Sequence, residues 1–560
     1  MEATTLKDSF IDKTKSKLGV TPEDSKLSLT YLSLAFILLF VGGFLGLVQG
    51  LNRAGLYELP PWFDYYQVLT SHGILLVLAF TTLFMAGYFY AGVSHVQGGL
   101  SPKVRKMGWT AFGLMVFGVV MTIATVIAGN ASVMYTFYPP MQASPWFYVG
   151  LTIMVVGIWV AAAGIWTAAV QWKKANKGKH LPLFSFFAVG AYLLLFLGSL
   201  GVTAEMAMLI PWAFGWVETV NVMLSRTLFW AFGHTAVNVW YLVAVSAWYV
   251  AVPKIVGGRM FSDTLARVVV ILSVVLNVPG GFHHQIIDPA IGEGVKFMHV
   301  FMSLSISLPS LLTAFAMFAI FAKVGKKKGA KGIFGFLKKL PWKDVRFLAP
   351  MIAMITFIPA GAGGIAQTNH HLNQTVHNSL WVVGHFHLTV GVTVALTFFG
   401  ITYWLLPYLT KRTLTPKLNK LGLIQTWIWT IGMFFMSGAM HWVGLLGSPR
   451  RTSFSTYGDN ATALSWDPYL FLLAIGGTLL FIGVVLMVYI AYQLMFKAPK
   501  GETEFPVAEP EDNAAPTPKW TERWGLWIVL AFAIISMGYV IPIVEMIVNA
   551  PPGSPPFQPW

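Results

Sequence analysis

The sequence predicts an all-α, polytopic membrane protein of about thirteen transmembrane helices, and three observations carry that expectation. Of 560 residues, 56% are hydrophobic and only 11% are charged, whereas a soluble globular domain carries about 25% charged residues. Mean hydropathy is +0.66. The apolar residues also fall in runs of about 20 or more, the length that crosses a hydrocarbon core about 30 Å thick.

These runs lie at roughly 28–50, 68–95, 107–131, 146–172, 182–212, 223–252, 264–288, 296–325, 346–366, 379–409, 422–446, 467–497 and 524–549. The net charge of +15 invites a nucleic-acid reading, but its distribution removes it. Lys and Arg gather at Lys103–Lys106, Lys173–Lys179, Lys254–Arg259, Lys323–Lys343 and Lys411–Lys420, whereas 51–67, 132–146, 213–222 and 367–378 hold almost none. This alternation follows the positive-inside rule. With thirteen spans it places the N-terminus in the cytoplasm and the C-terminus outside. The expected organisation is a cytoplasmic segment (1–27), a core of twelve helices (28–497), an acidic, Pro/Ala-rich cytoplasmic linker (498–523), and a last transmembrane helix with a tail (524–560). The first 27 residues are polar and basic, unlike a cleaved signal peptide. The chain has no cysteine, which excludes disulfides, thiolate metal sites and c-type heme attachment within it. Any copper–thiolate or heme c centre that feeds it electrons belongs on a partner subunit.

Ionisable or metal-binding residues inside a span are functional candidates. Six of the 13 histidines fall in one layer, in the outer half of the bilayer: His72, His234, His283, His284, His385 and His387. One such ring taken alone reads as a histidine bonded across helices; six at one depth, spelled with an HH and an HxH pair, do not. His385 and His387 point about 200° apart on a helix, so one helix can hold two cofactors on opposite faces. His72 can then face one of the two, giving bis-histidine ligation of a low-spin heme, and the other can carry a five-coordinate heme. His234, His283 and His284 suffice for a three-imidazole metal site with a vacant position, and imidazole suits copper, iron and zinc alike. His370 and His371 read as solvated loop residues, His95 and His180 as loop residues without a role, and His441 as packing.

The stretches FWAFGHTAVNVW, PGGFHHQIIDP, VHNSLWVVGHFHLTVG and HWVGLLGSPRR resemble the core motifs of the heme–copper oxidase superfamily, closest to its B-family oxygen reductases. The likeness runs from about residue 28 to residue 550 and includes YYQVLTSHG and MYTFYPP in the expected order. It implies a catalytic subunit I in a bacterial cytoplasmic membrane. His72 and His387 would ligate the low-spin heme, His385 the high-spin heme, and His234, His283 and His284 a non-heme metal. Arg450 and Arg451 would pair with heme propionates, with His377 and Asn378 nearby. The implied cofactors are two hemes, at least one of type b, and one iron or copper ion. The implied partners are a second membrane-anchored subunit with a copper centre and a cytochrome c or quinol donor.

The chain departs from that pattern where the chemistry is decided. Oxygen reductases of this kind carry His-Pro-x-x-Tyr, the tyrosine being crosslinked to a metal-bound imidazole and supplying an electron and a proton. Here the motif reads His234-Thr235-Ala236-Val237-Asn238. Position i+4 shares a helix face with His234, so an amide stands where the phenol belongs. The stretch 261–272 offers no tyrosine in its place, and Tyr241, seven residues from His234, is too deep to bond a ligated ring. Nitric oxide reductases of the superfamily lack this tyrosine, because 2 NO + 2 e⁻ + 2 H⁺ → N₂O + H₂O takes one electron from each metal. The expected function is therefore nitric oxide reduction, with Asn238 as an oxygen ligand or as a donor to the bound gas. An oxygen reductase without the crosslink is the alternative; a transporter or heme sensor without turnover is the reading from another class. Tyr249, Ser310 and Thr313 match the B-family proton track, which Val245 and Asn238 interrupt, so weak or absent proton pumping is expected. Asn373 stands where B-family oxidases tend to have an aspartate near the propionates.

Overall fold

The computed structural model describes residues 19–289, 291–512, 514–549 and 552–558. Helices dominate: α1 (Pro22–Arg53), α2 (Tyr65–Gln97), α3 (Pro102–Ile127), α4 (Pro145–Ala175), α5 (Leu183–Ala213), α6 (Val222–Ile255), α7 (Asp263–Leu276), α8 (Glu293–Lys327), α9 (Val345–Gln367), α10 (Leu380–Thr410), α11 (Pro416–Leu445), α12 (Ala461–Lys497) and α13 (Trp524–Val548). Twelve of them are long and apolar enough to cross a membrane, and α7 with the turn after it makes a thirteenth.

Two boundaries differ from the hydropathy reading for local reasons. Helix α1 starts at Pro22 rather than 28, because Thr21 caps it through its hydroxyl to the Asp24 N–H and proline occupies the first turn. The seventh span is not one helix. It stops at Leu276, bends by 59°, and continues as a tight 3₁₀ turn, Val278–His284. Pro279 removes a backbone donor, and Gly280 and Gly281 remove side chains where chain must pass close to α6 and α8.

The helices meet through small residues, as membrane bundles do. A Cβ on Gly118 of α3 would lie 2.5 Å from the Gly150 oxygen of α4, and one on Gly476 of α12 would lie 2.4 Å from the Met436 nitrogen of α11. Exposed Phe297, Phe301, Leu311 and Phe315 run down α8, a face suited to lipid.

The lysine-rich end is clamped by ion pairs. Glu522 accepts from Lys173 (2.6 Å), Arg267 (3.2 Å) and the Leu181 N–H (2.6 Å), which fixes the start of α13 beneath α4, α5 and α7. The stretch 498–523 reads as a linker by composition, yet it is strapped to the bundle by Lys254–Glu504, Arg259–Asp512 and Lys323–Glu511 pairs and by the Ala508 N–H on the Val250 oxygen. The six histidines sit at the other end.

Candidate metal and heme centre

Two elements assemble a trio of imidazoles. His234 comes from α6, and His283 and His284 from the 3₁₀ turn, whose bend swings them inward. Their ligand nitrogens all lie within 4.8 Å of one another. A metal bonded at about 2.0–2.1 Å would need them roughly 3.3 Å apart, a small closure. His283 Nδ1–H donates to the Gly280 oxygen (2.7 Å) and lies 3.1 Å from Ser303 Oγ, so Nε2 is left for a metal. His284 stacks flat on Trp230, ring centroids 3.8 Å apart. The chemistry and spacing of this donor set fit one imidazole-binding ion.

Asn238 lies against the trio. Its Nδ2–H donates to the His234 backbone oxygen (2.9 Å) and sits 3.3 Å from His234 Nε2. Oδ1 takes no hydrogen bond among the described residues, and Asn238 lines the cavity in front of the histidines. This cavity, about 440 Å³, is walled by His234, His283, His284 and His385 and is otherwise mostly apolar. Among the described residues its one tyrosine is Tyr135, on the loop between α3 and α4. Tyr241 is not on its wall; it stacks on Phe357 at 4.3 Å.

A second cavity opens between His72 and His387, with Arg450 and Arg451 on its rim. Each ring donates Nδ1–H to a carbonyl, His72 to Gly42 (2.8 Å) and His387 to Val383 (2.8 Å). That fixes the tautomer and leaves both Nε2 atoms for ligation. Both helices depart from α geometry here. A π segment, Ile74–Phe80, follows His72, and another, His387–Val394, begins at His387; such bulges gather at functional sites. His385, in the α-helical turn before, faces the first cavity instead. One helix thus serves both cavities.

The arginines sit in the loop after α11. Arg450 donates to Asn378 Oδ1 (3.2 Å), and Arg451 lies over the rings of Tyr135 and Tyr138. Arg450 Nε and Arg451 Nε and Nη2 are buried without a partner among the described residues, and burial, with Arg451 beside it, pulls the Arg450 guanidinium down to about 10. Unpaired buried guanidinium donors fit the carboxylates of a heme. His377 lies 3.6 Å from Asp288, which pairs with Arg226 at 3.0 Å; the sequence reading had not singled out that acid.

Along α6, Tyr249 faces Thr313 and Tyr241 faces Ser310, although neither phenol closes a well-formed hydrogen bond among the described residues. Ser310 reaches the first cavity and Val245 is fully buried. Tyr241, set aside from the sequence as too deep for a crosslink, therefore adds a phenol to the polar file. His370 and His371 sit on a short helix, His370–Val376, the first half-buried and the second exposed. His441 is bonded to the Ser437 oxygen and packs on Trp381. Sequence reasoning missed His299 altogether. It is buried, with its ring nitrogens against the Pro279 and Gly538 oxygens, and ties the 3₁₀ turn to α13. No motif marks it, since both acceptors are backbone.

Known proteins resemble this chain over nearly its whole length. Residues 26–479 match the family model described as cytochrome c and quinol oxidase polypeptide I. The chain is 36% identical over 549 residues to cytochrome c oxidase subunit 1 of Thermus thermophilus, covering 95% of this chain and 96% of the relative. It is 25% identical over 508 residues to quinol oxidase subunit 1 of Bacillus spizizenii, covering 84% and 72% respectively. A heme-copper terminal oxidase dimer solved by cryo-EM superposes with a TM-score of 0.90 at 30% identity, covering 96% of this chain and 95% of that one.

Proposed function

The chain belongs to the cytochrome c and quinol oxidase polypeptide I family, the catalytic subunit I of heme–copper oxidases, and from that premise we propose that it reduces nitric oxide to nitrous oxide. The observation that carries the proposal is Asn238: the side chain one turn below His234 is an amide bonded to the His234 carbonyl, and the cavity wall offers no phenol at that place. An amide cannot form the tyrosyl radical that four-electron oxygen reduction draws on.

His72 and His387 would hold the low-spin heme through Nε2, His385 the high-spin heme, and His234, His283 and His284 an iron or copper ion. Bound there, the hemes and metal supply the two electrons of 2 NO + 2 e⁻ + 2 H⁺ → N₂O + H₂O. The protein's part is positioning. Gly42 and Val383 orient the low-spin ligands, Gly280 and Ser303 orient His283, and Arg450 and Arg451, with His377 and Asn378 near, would receive the propionates. The apolar wall keeps bulk water from a gas substrate. Asn238 holds its Nδ2 on His234 and presents Oδ1 to the cavity, which supports its reading as an oxygen ligand over that of a donor to the gas. Protons would pass along Tyr249, Thr313, Tyr241 and Ser310, a file whose weak closure supports little or no pumping. Electrons would come from cytochrome c or quinol through a membrane-anchored copper subunit, with the lysine-rich end of the bundle in the bacterial cytoplasm.

A terminal oxygen reductase is the second reading, favoured by the relatives' names, cytochrome c oxidase and quinol oxidase subunit 1. Anaerobic NO consumption with N₂O detection, beside oxygen uptake with the same donor, separates the two. Fast NO turnover with slow oxygen uptake is expected. Fast four-electron oxygen reduction without peroxide would overturn the proposal.

A further inference from the structure

Asn373 belongs to the short helix His370–Val376, in no predicted span, and is 1% exposed. Its backbone continues that helix, with N–H on the Asn369 oxygen and oxygen under the His377 N–H. The side chain leaves the helix. Its Nδ2 donates to the backbone oxygen of His283 (2.9 Å) and to that of Gln367, at the end of α9 (2.6 Å). One buried amide therefore ties a residue of the metal trio to α9 and to the helix that leads to His377.

We propose that Asn373 is a positioning residue for the non-heme metal in this chain, and that it acts through its amide nitrogen. Both of its partners are carbonyl oxygens, which only accept. A primary amide brings two N–H groups on one nitrogen and satisfies both. An ionised carboxylate brings none, and a protonated one brings a single O–H. An aspartate of the same size would turn oxygen toward two carbonyls in a buried place, with loss of both bonds and an unpaired charge. The amide also completes the restraint on His283. The ring is held at Nδ1 by Gly280 and Ser303, and the peptide is held at its oxygen by Asn373. With ring and backbone both pinned, Nε2 has one direction to point. Partners behind a ligand of this sort typically change metal affinity about 10–100-fold. The inference rests on the reading of the three histidines as a metal site and is independent of which gas is reduced.

The test uses the whole complex purified with Asn373→Asp and with Asn373→Leu, the second removing the donors without adding charge. Non-heme metal per heme is measured by elemental analysis, and loss of that metal to a chelator is followed in time beside the heme spectra. Both variants are expected to keep both hemes and the low-spin spectrum and to release the metal at least about tenfold faster than the unaltered complex. Release at the unaltered rate in both would overturn the proposal, as would loss of the hemes together with the metal in both, which would mark Asn373 as a general folding residue. If the unaltered complex holds no non-heme metal, the reading of the three histidines fails instead.

Discussion

Gly46 bears directly on the low-spin site, because the His72 ring lies against it. An added Cβ would sit 2.6 Å from His72 Cε1 and 2.9 Å from Nδ1. Ordinary contact begins near 3.4 Å, so the ring must withdraw by about 0.8 Å. Gly42, whose oxygen accepts the His72 Nδ1–H at 2.8 Å, is one turn back on the same helix. Retreat from Gly46 is therefore also retreat from Gly42, and the bond lengthens to about 3.6 Å, beyond hydrogen-bonding distance. Leaving the buried His72 donor unpaired costs about 1–3 kcal/mol. At a factor of ten per 1.4 kcal/mol, Gly46→Ala should weaken low-spin heme retention by roughly one to two orders of magnitude. The assay is the ratio of low-spin to high-spin heme in reduced-minus-oxidised spectra of the purified complex. Gly438→Ala is the control, since nothing lies within 4 Å of a Cβ there. A full low-spin signal in Gly46→Ala, with unaltered heme retention, would refute the reasoning.

Further outcomes follow from the same geometry. Asn238→Ala should lower NO turnover about tenfold or more and reduce non-heme metal content; both quantities unchanged would remove Asn238 from the site. Tyr241→Phe keeps the stack on Phe357 and removes the phenol facing Ser310, so single-turnover proton uptake should slow several-fold while the heme spectra stay fixed. Proteoliposomes turning over NO should acidify their exterior little or not at all, and robust outward pumping would contradict the interrupted file. Glu522→Gln strips Arg267, 2% exposed, of one of its two carboxylates. Asp263 still compensates the charge, so thermal unfolding in detergent should register a loss of about 1–3 kcal/mol, with the heme spectra at low temperature unchanged.

What the sequence determined by itself is what hydropathy and spacing encode. Apolar runs of membrane length set the number of spans, charge alternation set the sidedness that the proposal adopts, and an HxH pair on one helix set two faces that meet two cavities. His234, His283, His284, His385, His387 and His72 were legible because polar atoms are costly in lipid and stand out against it. Asn238 was legible because i+4 on a helix is a fixed direction.

Tertiary structure decided what depends on backbone contributed by other segments. The 59° bend after Leu276 turns His283 and His284 inward, and a continuous helix through 264–288 would have spread them by only the usual 100° per residue. Which imidazole nitrogen is free is set by the carbonyls of Gly42, Val383 and Gly280, each unreadable from side-chain pattern. The amide of Asn373 looked like a lost acid in the sequence and is a two-bond donor in the fold. His299 showed no pattern at all, since a carbonyl 239 residues away at Gly538 is one of its partners. Side-chain identity fixes what a residue can donate, and only packing decides which oxygen is there to accept.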